Sequence, residues 1–365
     1  MKIAFYAPMK APDHPVPSGD RQMARLLMAA LERAGHKVTL ASHLRSYGRE
    51  PDEAHYAEVE RAAHAEIERL SQQWASEGRP DIWFCYHPYY KSPDVIGPAL
   101  ADRFGCAYIT AEASYSARRN IGVWEHTQAS VIDSVKRAAV NFCFTTRDRE
   151  GLATTAPDAR LALLPPFIDT TPWLATSPLH EPGRLITVAM MRSGDKFESY
   201  RDLAAALTRI SHLPWQLAII GGGPEHGAVE ALFSKLPPER IEWLGELAPD
   251  EIARQLARAS IYVWPGHGEA FGLAYLEAQA VGLPVVAQAV AGVPEVVENG
   301  ETGLLTPAGD VEAFAEGIAS LLTSQGRRDS LAATARRRVE ERHSLTGAAR
   351  RLDALLPRHH KGMPS

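Results

Sequence analysis

Short apolar runs alternate with segments of helical periodicity through the first half of this chain. The runs predict strands at Lys2–Ala7, Lys37–Ala41, Asp81–Tyr86, Ala107–Thr110, Val140–Thr145 and Leu161–Leu164. After the first run, Asp20 caps a predicted helix that stops at Gly35, and a long charged helix is predicted over Glu53–Glu77. Because parallel strands need crossover connections, this alternation predicts a doubly wound α/β sheet.

The same alternation restarts at Arg184, directly after a proline-rich stretch that ends at Gly183. Strands are predicted at Leu185–Met190, Gln216–Ile220, Ile241–Leu244, Ile261–Trp264, Pro284–Ala287 and Gly303–Thr306, with helices near Tyr200, Glu225, Glu251, Gly272 and Asp310. After about Asp329 the chain is predicted to be Arg-rich helix. The pattern predicts two Rossmann-like domains facing each other across a cleft, at residues 1–167 and 184–342, with a linker at 168–183.

Composition and charge narrow the function. The 365 residues exceed what one core usually holds, and 45% hydrophobic with 23% charged residues is typical of a soluble globular protein. A net charge of −5 argues against nucleic-acid binding. Without a signal peptide or an apolar stretch of about 18 residues, we expect a cytoplasmic protein. Cys85, Cys106 and Cys143 lie in separate strand-like runs and are predicted to be reduced core residues.

Two carboxylates separated by seven residues carry most of the chemical information. The strand Ile261–Trp264 is broken by a Pro-Gly pair, and helical spacing resumes over Leu273–Val281. Glu269 therefore lies in the loop at the carboxyl end of a strand, where open α/β sheets bind ligands, and Glu277 lies inside the following helix. The free amides at the start of that helix can face an anion.

The residues around this pair resemble a known signature. Together they resemble the E-x7-E motif of the family 4 glycosyltransferases, which are retaining enzymes with the GT-B fold. The residues that carry the resemblance are Pro265, Glu269, Phe271-Gly272, Glu277-Ala278, Ala280, Gly282 and Pro284–Val286. The likeness continues through Ala291–Glu295 and Asn299–Leu305, whereas the first half resembles the family only in layout. It implies a nucleotide-diphosphate sugar donor. It also implies that the segment 343–365 contains the family's final helix, which crosses back to the first domain.

The resemblance further implies roles for individual residues. Glu269 contacts hydroxyls of the donor sugar, and Glu277 accepts hydrogen bonds from the ribose. The donor-binding loop and helix start comprise Gly268, Ala270, Phe271, Gly272 and Leu273. Arg192 and Lys196 hold the diphosphate, although relatives usually have one more residue between these two cations and a Gly where this chain has Phe197.

Charge on the leaving diphosphate must be neutralised by a metal or by fixed cations and helix dipoles. The Asp-x-Asp motif, which bridges a metal in the other large glycosyltransferase fold, is absent from this sequence. We therefore expect no metal and no cofactor besides the donor substrate, with Arg192 and Lys196 as the neutralising cations.

Two glycine-containing loops are further candidates. Gly222 lies in a triple-glycine turn after a predicted strand, where glycine either lets the backbone approach a ligand or simply makes a tight turn. His226 replaces the last glycine of the dinucleotide fingerprint, so a nicotinamide dehydrogenase is not expected. In the first domain, Ser18-Gly19 resembles the loop that closes on the donor phosphate, but it also fits an ordinary turn and helix cap.

Many members of the family place a His after the fourth strand of the first domain, beside the transferred sugar. This sequence offers Glu112 at about that position, with Tyr115 and His126 nearby. Either Glu112 replaces the His or the correspondence is shifted. A carboxylate can accept a hydrogen bond from a sugar hydroxyl or stabilise a transient positive charge at the anomeric carbon.

The acceptor, a glycan, a lipid or a small molecule, is expected to bind to the first domain, where no motif identifies it. Alternatives are a GT-B nucleotide-sugar epimerase, which would consume donor without an acceptor, a phosphorylase, and a non-enzymatic two-domain sugar-binding protein. Arg118-Arg119 and Trp124 flank a predicted helix, and a peripheral contact with anionic lipid at these residues is a further alternative.

Overall fold

A computed structural model of the protein describes residues 1–357. The chain divides into two compact units. The first domain contains Met1–Pro165 together with residues 345–357, and the second domain is Pro166–Ser344. Residues 358–365 of the predicted C-terminal segment lie outside the described residues.

The first domain is built on six parallel strands: β1 (Lys2–Tyr6), β2 (Lys37–Leu40), β3 (Ile82–Tyr86), β4 (Ala107–Ala111), β5 (Val140–Cys143) and β6 (Leu161–Leu163). They are ordered β2-β1-β3-β4-β5-β6 across the sheet. The crossovers carry helices α1 (Gly19–Arg33), α2 (Glu53–Glu77), α3 (Gly97–Phe104), α4 (Val123–Arg137) and α5 (Thr146–Thr155). The central strand β3 is buried along its whole length, as an apolar run of a doubly wound sheet must be.

The second domain repeats this architecture with another strand order. Its six parallel strands are β7 (Arg184–Val188), β8 (Gln216–Ile220), β9 (Ile241–Gly245), β10 (Ile261–Val263), β11 (Val285–Gln288) and β12 (Gly303–Thr306). They are ordered β12-β11-β10-β7-β8-β9. The helices are α6 (Thr171–Leu174), α7 (Asp195–Arg209), α8 (His226–Leu232), α9 (Pro249–Arg258), α10 (Leu273–Ala280), α11 (Val311–Leu322) and α12 (Gln325–Arg342).

The last described helix, α13 (Leu345–Leu355), belongs to the first domain. It packs on α1, where its buried Leu345, Ala348, Ala349 and Leu352 face an apolar stripe of that helix. The Arg33 guanidinium adds a hydrogen bond of 3.1 Å to the Thr346 hydroxyl. The predicted return of the C-terminal helix to the first domain is therefore confirmed.

Each sheet has one point at which the strand order reverses direction along the chain. In the first domain this point lies between β1 and β3, and in the second between β7 and β10. Ligands of open α/β sheets bind outside the carboxyl ends of the strands at such a switch point. The two switch points are therefore the places at which to look for chemistry.

Several sequence-based details need correction. Helix α1 is capped by Ser18, not Asp20, because the extended backbone of Ser18 lets its hydroxyl accept from the Arg21 amide. Strand β7 ends at Val188, two residues earlier than predicted, and α12 begins at Gln325. Helix α2 has the predicted bounds.

The three cysteines are buried and unpaired, as predicted for core residues. Trp124 cannot serve a lipid surface, since it is 7% exposed and packs edge-on against Tyr90 with its ring centroid 5.0 Å away. None of the helices in residues 1–357 combines the length and apolar character needed to span a bilayer.

Candidate active site

The second switch point joins a lysine to the first glutamate of the motif. Strand β10 pairs with β7 in register Ile261↔Leu185, so the loops that follow these strands leave the sheet side by side. Lys196 lies in the first turn of α7, after β7, and Glu269 lies in the loop after β10. The Lys196 Nζ and Glu269 Oε1 form an ion pair.

The pair rests on a buried indole. Trp264 is 2% exposed, and its Nε1–H donates to Glu269 Oε1 over 3.3 Å. The Lys196 ammonium lies 5.5 Å from the Trp264 ring centroid, within cation–π range. Because Lys196 and Trp264 both bond to Oε1, the other carboxylate oxygen of Glu269 has no hydrogen bond within residues 1–357. That oxygen can accept from a ligand hydroxyl.

The loop that carries Glu269 is fixed to α7. The amide of His267 donates to the Ser199 hydroxyl over 2.9 Å, and its Nε2 lies 2.7 Å from Asp202 Oδ2. Gly268 has φ +62° and approaches Asp195 so closely that a Cβ would lie 2.0 Å from the carboxylate oxygen. Only glycine fits this position without displacing a neighbour.

Helix α10 begins directly after this loop. Gly272 is its N-cap and has no side chain that could cap the helix, so the amides of Leu273 and Ala274 keep their donors available within residues 1–357, whereas the Tyr275 amide donates to the Gly272 carbonyl over 3.1 Å. Phe271 is 7% exposed and anchors the loop in the core, while Ala270 is exposed and Leu273 is partly exposed. The predicted anion-facing amides thus lie at a real helix start.

Glu277 lies in the second turn of α10 and is half-buried. Burial raises the pKa of its carboxyl to about 7. Its carboxylate makes no hydrogen bond or ion pair within the described part of the chain. A carboxylate without hydrogen-bond partners can accept hydrogen bonds from a ligand.

Arg192 lies in an exposed loop four residues beyond the end of β7, in the segment between this strand and α7. Although β7 ends at Val188, the backbone after it continues to bond to the end of β8 and the loop that follows. Ala189 N donates to Ile220 O, and Met191 N donates to Gly222 O. This loop therefore stays beside the triple-glycine turn before it enters α7.

The triple-glycine turn is explained by packing. A Cβ on Gly221 would lie 1.9 Å from the Ala189 carbonyl oxygen, and one on Gly223 would lie 2.2 Å from that of Met191. Gly222 has an ordinary φ and faces the Glu246 side chain, whose nearest atoms would lie 3.1 Å from a Cβ. The tight-turn alternative accounts for the outer glycines. A donor contact by Gly222 stays a prediction.

In the first domain, Gly19 is the first residue of α1, and a Cβ on it would meet open space. Glu112 directly follows β4, as predicted, and is 9% exposed. Tyr115 accepts a weak hydrogen bond of 3.4 Å from Asn120, and His126 is exposed on α4. Neither side chain bonds to Glu112.

Sequence reasoning missed the partners of Glu112. His87 follows β3, and its Nδ1 lies 3.2 Å from Asp20 Oδ1, at the first switch point. Burial raises the pKa of Glu112 to about 7, although the nearby charge of His87 opposes the rise. The one available signal was a histidine directly after an apolar strand, at the sheet edge where ligands bind.

No group of three or more His, Cys, Asp or Glu side chains placed to hold a metal ion occurs within residues 1–357.

Residues 182–324 match the family described as "Glycosyl transferases group 1". The chain is 34% identical over 129 residues to the sulfoquinovosyl transferase of Arabidopsis thaliana, an alignment that covers 34% of this chain and 25% of that protein.

A longer alignment relates the chain to a D-inositol 3-phosphate glycosyltransferase of Rhodococcus erythropolis. The two are 26% identical over 291 residues, which is 72% of this chain and 65% of the relative. The chain thus spans less than two thirds of the length of either relative.

Solved structures share the whole fold. Sucrose-phosphate synthase of Thermosynechococcus elongatus superposes with a TM-score of 0.76 at 20% identity, covering 97% of this chain and 98% of that one. Anabaena HepE in complex with UDP gives 0.73 at 14% identity, with 97% and 99% covered. The predicted fold class, two Rossmann-like α/β domains of the GT-B type, is confirmed.

Proposed function

We propose that this chain, whose residues 182–324 match the group 1 glycosyltransferases, transfers a sugar from a nucleotide-diphosphate sugar to an acceptor. The transfer retains the anomeric configuration and needs no metal. The observation that carries the proposal is the second switch point, where a paired lysine and glutamate lie beside the start of α10 and an unpartnered Glu277.

Glu277 binds the ribose of the donor. Its ionised carboxylate accepts hydrogen bonds from two neighbouring hydroxyls, each roughly 1.5 to 3 kcal/mol at most. Burial disfavours the ionised form in the free protein, so the ribose replaces solvation that the fold removes. The pyrophosphate then faces the free amides at the start of α10.

Lys196 and Glu269 act together on the phosphate and the sugar of the donor. An ammonium has three N–H groups, so Lys196 can keep its bond to Glu269 and still donate to a phosphate oxygen. Glu269 then accepts from sugar hydroxyls through its unbonded oxygen. The pair orients the sugar relative to its leaving group.

Chemistry develops negative charge on the leaving diphosphate and positive character at the anomeric carbon. Lys196 and the exposed Arg192 neutralise the first, and Glu269 stabilises the hydroxyls of the distorting sugar. Fixed cations need no reorganisation during the step. The acceptor, a glycan, lipid or small molecule, is bound by the first domain.

A donor screen by thermal shift tests the proposal. A ligand that binds only the folded state raises its stability with the logarithm of saturation, so UDP-, GDP- and ADP-sugars are compared at one concentration. UDP-sugars come first, because HepE is seen with UDP. One nucleotide class should raise the Tm, and Lys196→Ala should reduce the rise. Equal Tm values with and without all three classes would contradict the proposal.

A further inference from the structure

The first switch point carries an ion pair of its own. Asp20, in the first turn of α1, bonds to His87, which directly follows β3. Their side chains are 33% and 20% exposed, so both are accessible at the sheet edge. By its topology this position corresponds to that of Lys196 and Glu269 in the second domain.

The His87 ring is held in one orientation. Its Nδ1 bonds to Asp20, and its face stacks on Tyr89 with centroids 4.8 Å apart and an interplanar angle of 20°. The backbone is fixed by a hydrogen bond of 2.7 Å from the His87 amide to the Ala111 carbonyl. Its Nε2 has no partner within residues 1–357. A fixed ring with one unused nitrogen is arranged to meet a ligand.

The backbone is strained at the same place. His87 and Glu112 both have φ +58°, the left-handed region that costs a non-glycine residue about 1 to 2 kcal/mol. They follow adjacent strands, β3 and β4, where glycine or asparagine would relieve the strain. Strain of this kind is kept where the side chain has a task.

Glu112 differs from a carboxylate that is merely structural. Asp94, 2% exposed in the same domain, accepts from two backbone amides, the Trp83 indole and the Tyr108 hydroxyl, at 2.7 to 3.1 Å. Glu112 is 9% exposed, and its Oε2 has no hydrogen-bond partner within residues 1–357. Two titratable side chains interact with it, the His87 ring and the Tyr86 hydroxyl.

Burial lowers the pKa of His87, but the charge of Glu112 and the hydrogen bond and charge of Asp20 outweigh it and raise the pKa to about 9. Asp148 on α5 acts in the same direction, and Lys10 faces Asp20. His87 is therefore protonated at neutral pH, and its Nε2–H is a charged donor.

We propose that His87 and Asp20 form a binding site for a polyhydroxylated ligand on the first domain, with Glu112, at the end of the adjacent strand β4, as a positioning residue. The Nε2–H donates to one hydroxyl oxygen, and the Asp20 carboxylate accepts from the neighbouring hydroxyl. A vicinal diol offers this pairing. An anionic ligand would be repelled by three carboxylates, Asp20, Glu112 and Asp148. That this ligand is the acceptor rests on the proposed function.

The site is tested without donor by following the imidazole signals of the full chain in NMR spectra. Glucose, inositol and glycerol serve as probes, and the His87 signal is assigned with His87→Asn, a residue that tolerates the left-handed backbone. A saturable shift of the His87 signal by at least one probe is expected, with His64, exposed on α2, as an unshifted control. No shift with any of the three probes would overturn the proposal.

The pH profile tests the positioning role. Binding should be lost as pH rises through about 9 in the wild type. In Glu112→Gln it should be lost about one to two pH units lower, because a neighbouring opposite charge shifts a pKa by this amount. A merely structural Glu112 would weaken binding equally at every pH, and that result would overturn its role. Asp20→Asn should abolish the shift, with an unchanged circular dichroism spectrum showing that the fold persists.

These outcomes separate the two proposals. Polyol binding without any nucleotide-induced rise in Tm would leave the first-domain site standing and remove the proposed transfer reaction. Nucleotide binding without a polyol-induced shift would do the reverse. If both are seen, turnover is measured with and without the polyol, to test whether the polyol competes with the acceptor.

Discussion

The two domains share a sheet architecture and place an ion pair at the same topological position, but the pairs differ in kind. In the second domain, Lys196 and Glu269 rest on a buried indole and lie beside the start of a helix. In the first domain, Asp20 pairs with His87, and a second carboxyl, the buried Glu112, also raises the pKa of the histidine. The cation of one site is a lysine. The cation of the other is a histidine, whose pKa is raised to about 9 by the neighbouring carboxyls.

This difference fits what each site must do. A leaving diphosphate carries charge at every working pH, so a permanent ammonium and helix amides suit it. A neutral polyol needs a donor and an acceptor side by side, which a protonated imidazole and a carboxylate supply. On this proposal, the residues placed at the same position of two similar sheets decide which ligand each sheet binds.

The largest expected effect comes from removing a cation of the second-domain site. Lys196→Ala and Arg192→Ala should each lower turnover by about a hundredfold, because charge develops where they point. Steady-state kinetics with the donor from the screen measure the effect. Lys235→Ala, an exposed lysine of the same domain, is the matched control. Unchanged donor affinity and turnover in both variants would remove these residues from the site.

The second change tests how rigidly the Glu269 loop is held. Gly268→Ala forces a Cβ onto Asp195 in a left-handed backbone and should cost about 1 to 3 kcal/mol in the free energy of unfolding. Gly227→Ala, in α8 with open space around it, should instead stabilise by about 0.5 to 1 kcal/mol. Denaturant unfolding distinguishes them. Equal effects would mean that the loop adapts freely.

The third prediction contrasts the pH dependence of the two sites. Glu277 has its pKa raised to about 7, and the ribose requires the ionised form, so donor affinity should be lost as pH falls through about 7. Titration with the intact nucleotide sugar should give roughly tenfold tighter binding at pH 8 than at pH 6. Glu277→Gln should bind with no such dependence. A profile that is flat in the wild type would place Glu277 away from the ribose.

The smallest expected effect concerns metal. Activity should survive EDTA, because in the proposed mechanism Lys196 and Arg192 neutralise the diphosphate without a divalent ion. Complete loss that Mg²⁺ or Mn²⁺ restores would show that the fixed cation of the second site has been misidentified.

The sequence predicted the fold class and most strand positions because apolar runs and turn residues are local signals. Strand ends were less certain. After Val188 the apolar Ala189 and Met191 continue the pattern although strand β7 has ended, and Ser18 and Asp20 are equally good caps until the backbone is known.

The two sites also differ in how far the sequence predicts them. Glu269 and Glu277 are close in sequence and fall into a recognisable motif, whereas Asp20 and His87 are 67 residues apart and meet only through the strand order. Glu112 could be named because it follows a strand, but its effect on His87 depends on burial, which no local pattern reveals.

The central claim, that Glu269 faces the sugar and Glu277 the ribose, is tested most directly by binding of the free nucleoside diphosphate. This ligand has ribose but no sugar. Calorimetric titration should show affinity for Glu269→Gln close to wild type and about tenfold or more weaker for Glu277→Gln, through two weakened charge-assisted hydrogen bonds. If the diphosphate binds Glu277→Gln as tightly as wild type and Glu269→Gln more weakly, the two roles are reversed and the assigned donor position is wrong.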